Sequence, residues 1–340
     1  MTAADRSSAA LATLPERHLG PLVVPAVGYG AMVLAGTYEA PVDDDGARAA
    51  LAAALDAGCR FVDTSDSYGA NERQIGAFLA GRGTSRRRGE VCISTKFGLR
   101  PPEGEPTHRL PVPWAMGEFR INGEARLVRD YCERSLRRLG TDHLDVYSPH
   151  FPDPEVPIEE TVGAVADLVT AGLVRHVGLS NATLEHLVRA QTVCAIAAVQ
   201  VEWSMWHPID PALLAHCERT GVGVVAWSPV GRGFLAGTVA AVGERDFRRN
   251  VERFTGPNLA ANHDRFAPVR ALAAEVGLTP AQLALAWLLS RSAAVVPIPG
   301  SRTPAHIREN AAAGTVTLPT DALGRLDAAL TALTLAGVVS

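Results

Sequence analysis

The chain has 340 residues, 47% hydrophobic and 20% charged, which is enough apolar material for one large core and too little charge to keep the chain disordered. A formal net charge of −4 gives no general attraction for nucleic acid or for anionic membranes. The five cysteines (Cys59, Cys92, Cys132, Cys194, Cys217) are odd in number and form no CxxC pair, so the pattern argues against a disulfide framework or a zinc site and fits a reducing cytoplasm.

In chain order, residues 1–20 are rich in Ala, Ser and Thr, lack the apolar core of a signal peptide, and read as a flexible tail ahead of a single domain over 21–340. No later stretch has the length of apolar sequence that a membrane span needs. Short runs rich in β-branched residues predict strands at 26–29, 60–63, 91–96, 143–148, 175–179, 198–201, 223–227 and 294–298. Helical spacing fills the intervals, as with Ile158, Val162, Val165, Leu168 and Val169. Asn71-Glu72-Arg73-Gln74 reads as a capping box and Gly81 as a helix terminator. Thr279-Pro280-Ala281-Gln282 combines an N-cap with a first-turn proline, and Arg86-Arg87-Arg88 reads as a solvated loop. Segments 98–123 and 232–263 are insertions after the third and seventh strands.

Eight alternating strand and helix units predict a parallel sheet covered by helices and closed into a (β/α)₈ barrel of the TIM type, with active-site loops at the carboxyl ends of the strands. The open doubly wound sheet is the competitor. A Rossmann fold would need GxGxxG between a strand and a helix, whereas the nearest match, starting at Gly221, precedes a strand. A GxSxG hydrolase elbow is approached only by Gly178-Leu179-Ser180-Asn181-Ala182, where alanine replaces the second glycine.

Three strand ends carry chemistry. In 58–72 a strand ends on Asp63 and Tyr68 follows in a glycine-bounded turn; taken alone, these read equally well as a turn former and a rim aromatic. Lys96 ends the next strand, and an ammonium there needs an acid such as Asp63 beside it. His150 follows the fourth strand and, alone, reads more readily as a structural hydrogen-bonding residue. Successive strand ends of a barrel converge on one mouth, so the four residues form one candidate group.

The runs DTSDSYG, STKFG and SPHFPDP resemble the aldo-keto reductase superfamily, in particular its bacterial and plant branch, and the likeness extends from about residue 23 to 333. It implies an oxidoreductase that reduces aldehydes or ketones by direct hydride transfer from NADPH (product NADP+, with NADH open), with no metal. Tyr68 would be the general acid, Lys96 paired with Asp63 would lower its pKa, and His150 would hold the carbonyl. For the cofactor, the resemblance implies Ser180, Asn181 and Gln200 on the nicotinamide carboxamide and Trp203 stacked on its ring. Ser228, Pro229, Val230, Gly231 and Arg232 would cross the pyrophosphate; Gly300, Ser301, Arg302, His306, Glu309 and Asn310 would take the adenosine 2′-phosphate and adenine. His306 stands where some relatives have arginine. Candidate substrate walls are Met32, Tyr38, Trp114, Phe151 and, in the same loop as Trp114, Met116. A small-molecule carbonyl is the expected partner, rather than nucleic acid or membrane. The alternative is a cofactor-binding regulatory subunit with little turnover, as in the potassium-channel β subunits of the same superfamily; an intact catalytic group favours the enzyme.

Overall fold

The computed structural model describes residues 13–81, 88–112 and 117–337. Twelve strands occur in it: β1 (Glu16–Leu19), β2 (Leu22–Pro25), β3 (Tyr29–Gly30), β4 (Phe61–Asp63), β5 (Cys92–Phe97), β6 (His108–Val112), β7 (Gly117–Ile121), β8 (Leu144–Pro149), β9 (Val174–Ser180), β10 (Ile196–Glu202), β11 (Gly223–Trp227) and β12 (Val295–Pro297). Eight form one parallel sheet in the order β3-β4-β5-β8-β9-β10-β11-β12. The sheet curls until its edges meet, where Gly28 N–H donates to Pro297 O at 2.9 Å and Gly30 N–H to Pro299 O at 3.4 Å. The expected (β/α)₈ barrel is the observed fold, and each of the eight predicted strands overlaps one of its strands.

The closing seam explains two glycines. A Cβ on Gly30 would lie 2.6 Å from Ile298 O, and one on Gly300 2.7 Å from Gly30 O, so the first and last strands approach only because both positions lack side chains. Gly30→Ala is expected to cost about 1–3 kcal/mol by overpacking this seam, measurable as a lower urea midpoint at unchanged slope.

Each barrel strand is followed by a covering helix: α1 (Asp44–Asp56), α2 (Asn71–Ala80), α3 (Ala125–Leu139), α4 (Ile158–Thr170), α5 (Leu184–Ala190) and α6 (Pro211–Thr220), then, after α7 (Pro257–Arg265) and α8 (Ala267–Glu275), α9 (Pro280–Arg291) and α10 (Pro304–Ala312), with α11 (Thr320–Thr331) closing the described chain. In α4 the spaced residues Ile158, Val162, Val165 and Leu168 are all buried against the sheet layer. Burial of each such side chain favours folding by about 1.5–3 kcal/mol. Thr279 and Gln282 do form a reciprocal capping box at the start of α9. Among the described residues no single helix is long and apolar enough to cross a membrane.

Four local expectations need correction. The tail does not extend to residue 20: β1 pairs antiparallel with β2, and Leu19 is buried against Gly223, at the start of β11, so this hairpin plugs the amino end of the barrel. Residues 71–74 are not a capping box. Ala70 caps α2 without a side-chain bond, while Asn71 donates to Ala31 O at 2.6 Å and Glu72 accepts from Thr95 and Arg138, so polar residues expected at a helix end instead tie the helix to its neighbours. Gly81 is extended rather than left-handed, so it does not end α2 as a glycine terminator would. Finally, Arg86 and Arg87 lie outside the described residues, but Arg88 is not a solvated loop residue. It pairs with buried Asp145 at 2.7 Å and donates to Val91 O and His143 O.

Segment 98–123 contains the β6–β7 hairpin, laid over the carboxyl ends of the strands. Its Phe119 meets Phe151 edge to face at 5.7 Å.

Candidate active site

The carboxyl ends of β4, β5 and β8 place Asp63, Lys96 and His150 around one point, as the barrel geometry requires. Lys96 is 1% exposed; its ammonium donates to Asp63 Oδ2 at 2.7 Å and to Thr64 O at 2.9 Å. Asp63 Oδ1 accepts from Ser94 at 3.1 Å and from Gln200 Nε2 at 2.8 Å. Every polar group of the ion pair is therefore answered, the condition under which a buried pair is tolerated. Tyr68 lies over it, with the Lys96 ammonium 5.4 Å from its ring centre, and meets the His150 ring edge to face at 5.7 Å.

The electrostatics differ from expectation in one respect. The Tyr68 phenol is held well above its ordinary pKa by burial and, secondarily, by Asp63, instead of being drawn down by Lys96. Lys96, paired with the Asp63 carboxylate at 2.7 Å, is not among the groups that move it. His150 is pushed well below the usual histidine range by burial and then by Lys96, which keeps its ring neutral at neutral pH. Its Nδ1 lies 3.0 Å from Ser65 Oγ.

Asp63, Tyr68 and His150 open onto a cavity of about 1150 Å³. Along it lie, of the residues expected to hold a cofactor, Ser180, Asn181, Gln200, Ser228, Pro229, Val230, Arg232, Gly300, Ser301, Arg302, His306, Glu309 and Asn310. The three non-glycine residues with left-handed backbone among those described, Asn181, Ser228 and Arg232, all stand on this wall (φ 54°, 50° and 56°). Such strain persists where a ligand site needs a particular backbone shape.

Two expected residues are elsewhere. Trp203 is 3% exposed and packs into the main hydrophobic core, immediately after β10 ends at Glu202. The aromatic beside Asn181 on the cavity wall is instead Trp227, whose indole N–H donates to Asn181 Oδ1 at 3.1 Å. Its signal was available, since it ends β11 immediately before the Ser228 loop. Gly231 is buried behind that loop rather than exposed on it.

At the other end Met32, Tyr38 and Phe151 line the cavity as expected; Trp114 and Met116 fall outside the described residues. Phe119, Arg100, Arg120 and Arg248 join them, and sequence reasoning missed them because loop insertions carry no periodic signal. Three segments meet above the cavity: Phe247 N–H donates to Thr37 O at 3.1 Å, the Arg248 guanidinium lies 4.7 Å from the Tyr38 ring centre, and Arg302 pairs with Glu39 and donates to Ala40 O.

A family model described as the Aldo/keto reductase family matches residues 26–331. The chain belongs to the aldo/keto reductase family. It is on that ground an oxidoreductase. It is 36% identical over 296 residues to a probable aldo-keto reductase 1 of Glycine max, covering 86% of this chain and 81% of the relative. A glycerol dehydrogenase from Gluconobacter oxydans shares the fold at a TM-score of 0.78 and 24% identity, over 93% of this chain and 94% of that one. An aldo-keto reductase from Klebsiella pneumoniae, solved in complex with NADPH, matches at a TM-score of 0.69 and 26% identity, over 94% of each chain.

Proposed function

We propose that this chain reduces an aldehyde or ketone to the alcohol with NADPH, Tyr68 supplying the proton. One observation carries the reading: a neutral phenol, backed by a buried Lys96–Asp63 pair and flanked by a neutral His150, stands on the wall of a cavity of about 1150 Å³ that also takes in most of the residues expected to hold a dinucleotide. The NADPH complex of the Klebsiella pneumoniae relative supports the cofactor class.

The cavity walls fit such a cofactor. Helix α10 opens with Pro304 at its first turn and no side-chain cap from Thr303, which leaves first-turn amides beside Ser301 and Arg302 for a phosphate. Ser228, Pro229, Val230 and Arg232 provide a strained loop with a guanidinium for the pyrophosphate, backed by Gly231. Ser180, Asn181 and Gln200 present amide and hydroxyl groups where a carboxamide would rest, and Trp227 offers the stacking face. When bound, the nicotinamide supplies hydride to the carbonyl carbon. Tyr68 Oη gives its proton to the oxygen as charge develops there, and His150 Nε2–H steadies the same oxygen by a hydrogen bond. Lys96 and Asp63 hold the phenol's surroundings in place. Met32, Tyr38, Phe119 and Phe151 would enclose the carbonyl's substituent with apolar walls suited to aromatic or small aliphatic aldehydes, with Arg100, Arg120 and Arg248 lining the same cavity.

The test is loss of NADPH absorbance over a panel of aldehydes and ketones, with binding followed in parallel by quenching of tryptophan fluorescence. Turnover supports the reading; tight binding of NADPH without turnover of any carbonyl would leave a regulatory barrel instead. Trp227→Ala is expected to raise the NADPH dissociation constant about fivefold to tenfold, the worth of one aromatic stacking contact, whereas Trp203→Phe leaves it unchanged.

A further inference from the structure

Behind the active site lies a buried acid that the chemistry above does not use. Asp66, 6% exposed, is three residues after Asp63 and two before Tyr68. Its Oδ1 lies 3.3 Å from Ser65 Oγ, and its Oδ2 has no hydrogen-bond partner among the described residues. Ser65 Oγ in turn lies 3.0 Å from His150 Nδ1. One serine hydroxyl thus joins an acid to the inner nitrogen of the histidine, whose outer nitrogen is left for the cavity.

A hydroxyl has a single proton to give. If Asp66 is protonated, its O–H can donate to Ser65, Ser65 donates to His150 Nδ1, and the ring must carry its own proton on Nε2, where it can hydrogen-bond a carbonyl oxygen. If Asp66 is ionised, Ser65 donates to the carboxylate and accepts from Nδ1–H, which leaves Nε2 with a lone pair facing the substrate. We propose that Asp66, acting through Ser65, is a positioning residue that selects which tautomer His150 presents to the substrate: the donor form for carbonyl reduction, the acceptor form for the hydroxyl of an alcohol. The inference rests on the carbonyl-reducing reading of the site.

The surroundings allow both states near neutrality. Burial and the Glu72 carboxylate from α2 push the Asp66 carboxyl up, and Arg138 and Arg134 from α3 pull it back in part, to about 7. Arg138, the largest of the pulls that lower it, is shared with Glu72 at 2.6 Å, and the hydrogen bond from Ser65 lowers it as well. Tyr131 of α3 and Tyr147 of β8, both fully buried, feel the Asp66 charge and stay neutral; Ser67 also reaches the hydroxyl, its Oγ 2.9 Å from Ser65 Oγ and its backbone N–H donating to that oxygen at 3.2 Å. On the site side Tyr68 senses Asp66, and the Lys96 backbone carbonyl accepts from the Asp66 N–H at 3.1 Å. His150, kept neutral by its own burial, has a tautomer to choose rather than a charge.

The decisive measurement is made on the wild-type protein, with ¹⁵N-labelled histidine and long-range ¹H–¹⁵N correlation spectra, the His150 ring assigned by its absence in His150→Gln. Across pH about 5.5 to 8.5 the ring is expected to pass from Nε2–H to Nδ1–H with a midpoint near 7. A single tautomer over that whole range overturns the proposal. Asp66→Asn, whose amide keeps a donor toward Ser65, is expected to hold Nε2–H throughout. In the same variant kcat for reduction should no longer fall about tenfold per pH unit above 7, with cofactor affinity unchanged. A wild-type pH profile in Asp66→Asn counts against the proposal as decisively as an unmoved ring. Failure of every carbonyl to be reduced would sink the enzymatic reading, and the spectra, which need no turnover, keep the two failures apart.

Discussion

Tyr68→Phe is expected to lower the rate of carbonyl reduction by about 10³-fold, within the 10²–10⁴ that a positioned general acid contributes, while NADPH binding changes by less than about threefold. The asymmetry follows from what the ring does and what the hydroxyl does. The ring keeps its edge contact with His150 and its place above the Lys96 ammonium in the variant, so the shape of the nicotinamide end is retained. Only the proton source is lost. Single-turnover mixing of the NADPH complex with an aldehyde separates the chemical step from product release, and a wild-type single-turnover rate in Tyr68→Phe would remove this residue from the mechanism. The direction of the phenol's shift sets a further condition. Burial and Asp63 hold its folded pKa above the unfolded value of about 10, so the donor form persists through the whole neutral and mildly alkaline range. Its stabilising preference for the neutral form is likewise complete below that unfolded value, and is lost only as pH rises beyond it. A fall in reduction near pH 7 must therefore originate elsewhere, and Asp66 is the group placed to cause it.

What could be read from the sequence divides by the range of the signal. Strands were legible because a barrel strand is buried on both faces and shows as a short run of β-branched residues; 223–227 coincides with β11 residue for residue. The four chemical residues were legible because successive strand ends must converge once the barrel is accepted. Long-range polar contacts were not. Nothing local in Asn71-Glu72-Arg73-Gln74 says that its side chains answer Ala31, Thr95 and Arg138 instead of the helix's own amides. The exchange of Trp203 for Trp227 has the same origin: both follow the pattern of an aromatic at a strand's carboxyl end, and only tertiary packing, which buries Trp203 in the core and leaves Trp227 on the cavity wall, distinguishes them. The phenol's raised pKa was illegible for a related reason, since the burial that raises it, beside a lysine already paired with an acid, is set by the whole barrel.

That compensation also changes what removing the lysine should do. Lys96→Met is expected to abolish measurable reduction and, in addition, to lower the unfolding free energy by about 3–5 kcal/mol, because it strands the Asp63 carboxylate in the barrel with its countercharge gone. From sequence alone the variant would be expected to lose turnover with NADPH binding largely intact. In the structure Asp63 Oδ1 is also the anchor for Gln200, so an unbalanced carboxylate disturbs the residue proposed to hold the carboxamide, and binding is expected to weaken several-fold as well. Pairing Lys96→Met with Asp63→Asn separates the contributions. The double variant has no buried unpaired charge, and an asparagine can still accept from Ser94 through its amide oxygen. Its denaturant midpoint should return most of the way toward wild type while the rate of reduction stays at the floor. Recovery of the rate together with stability would mean that the pair serves only to hold the barrel, whereas recovery of stability alone would mean that the Lys96–Asp63 pair is itself required for reduction.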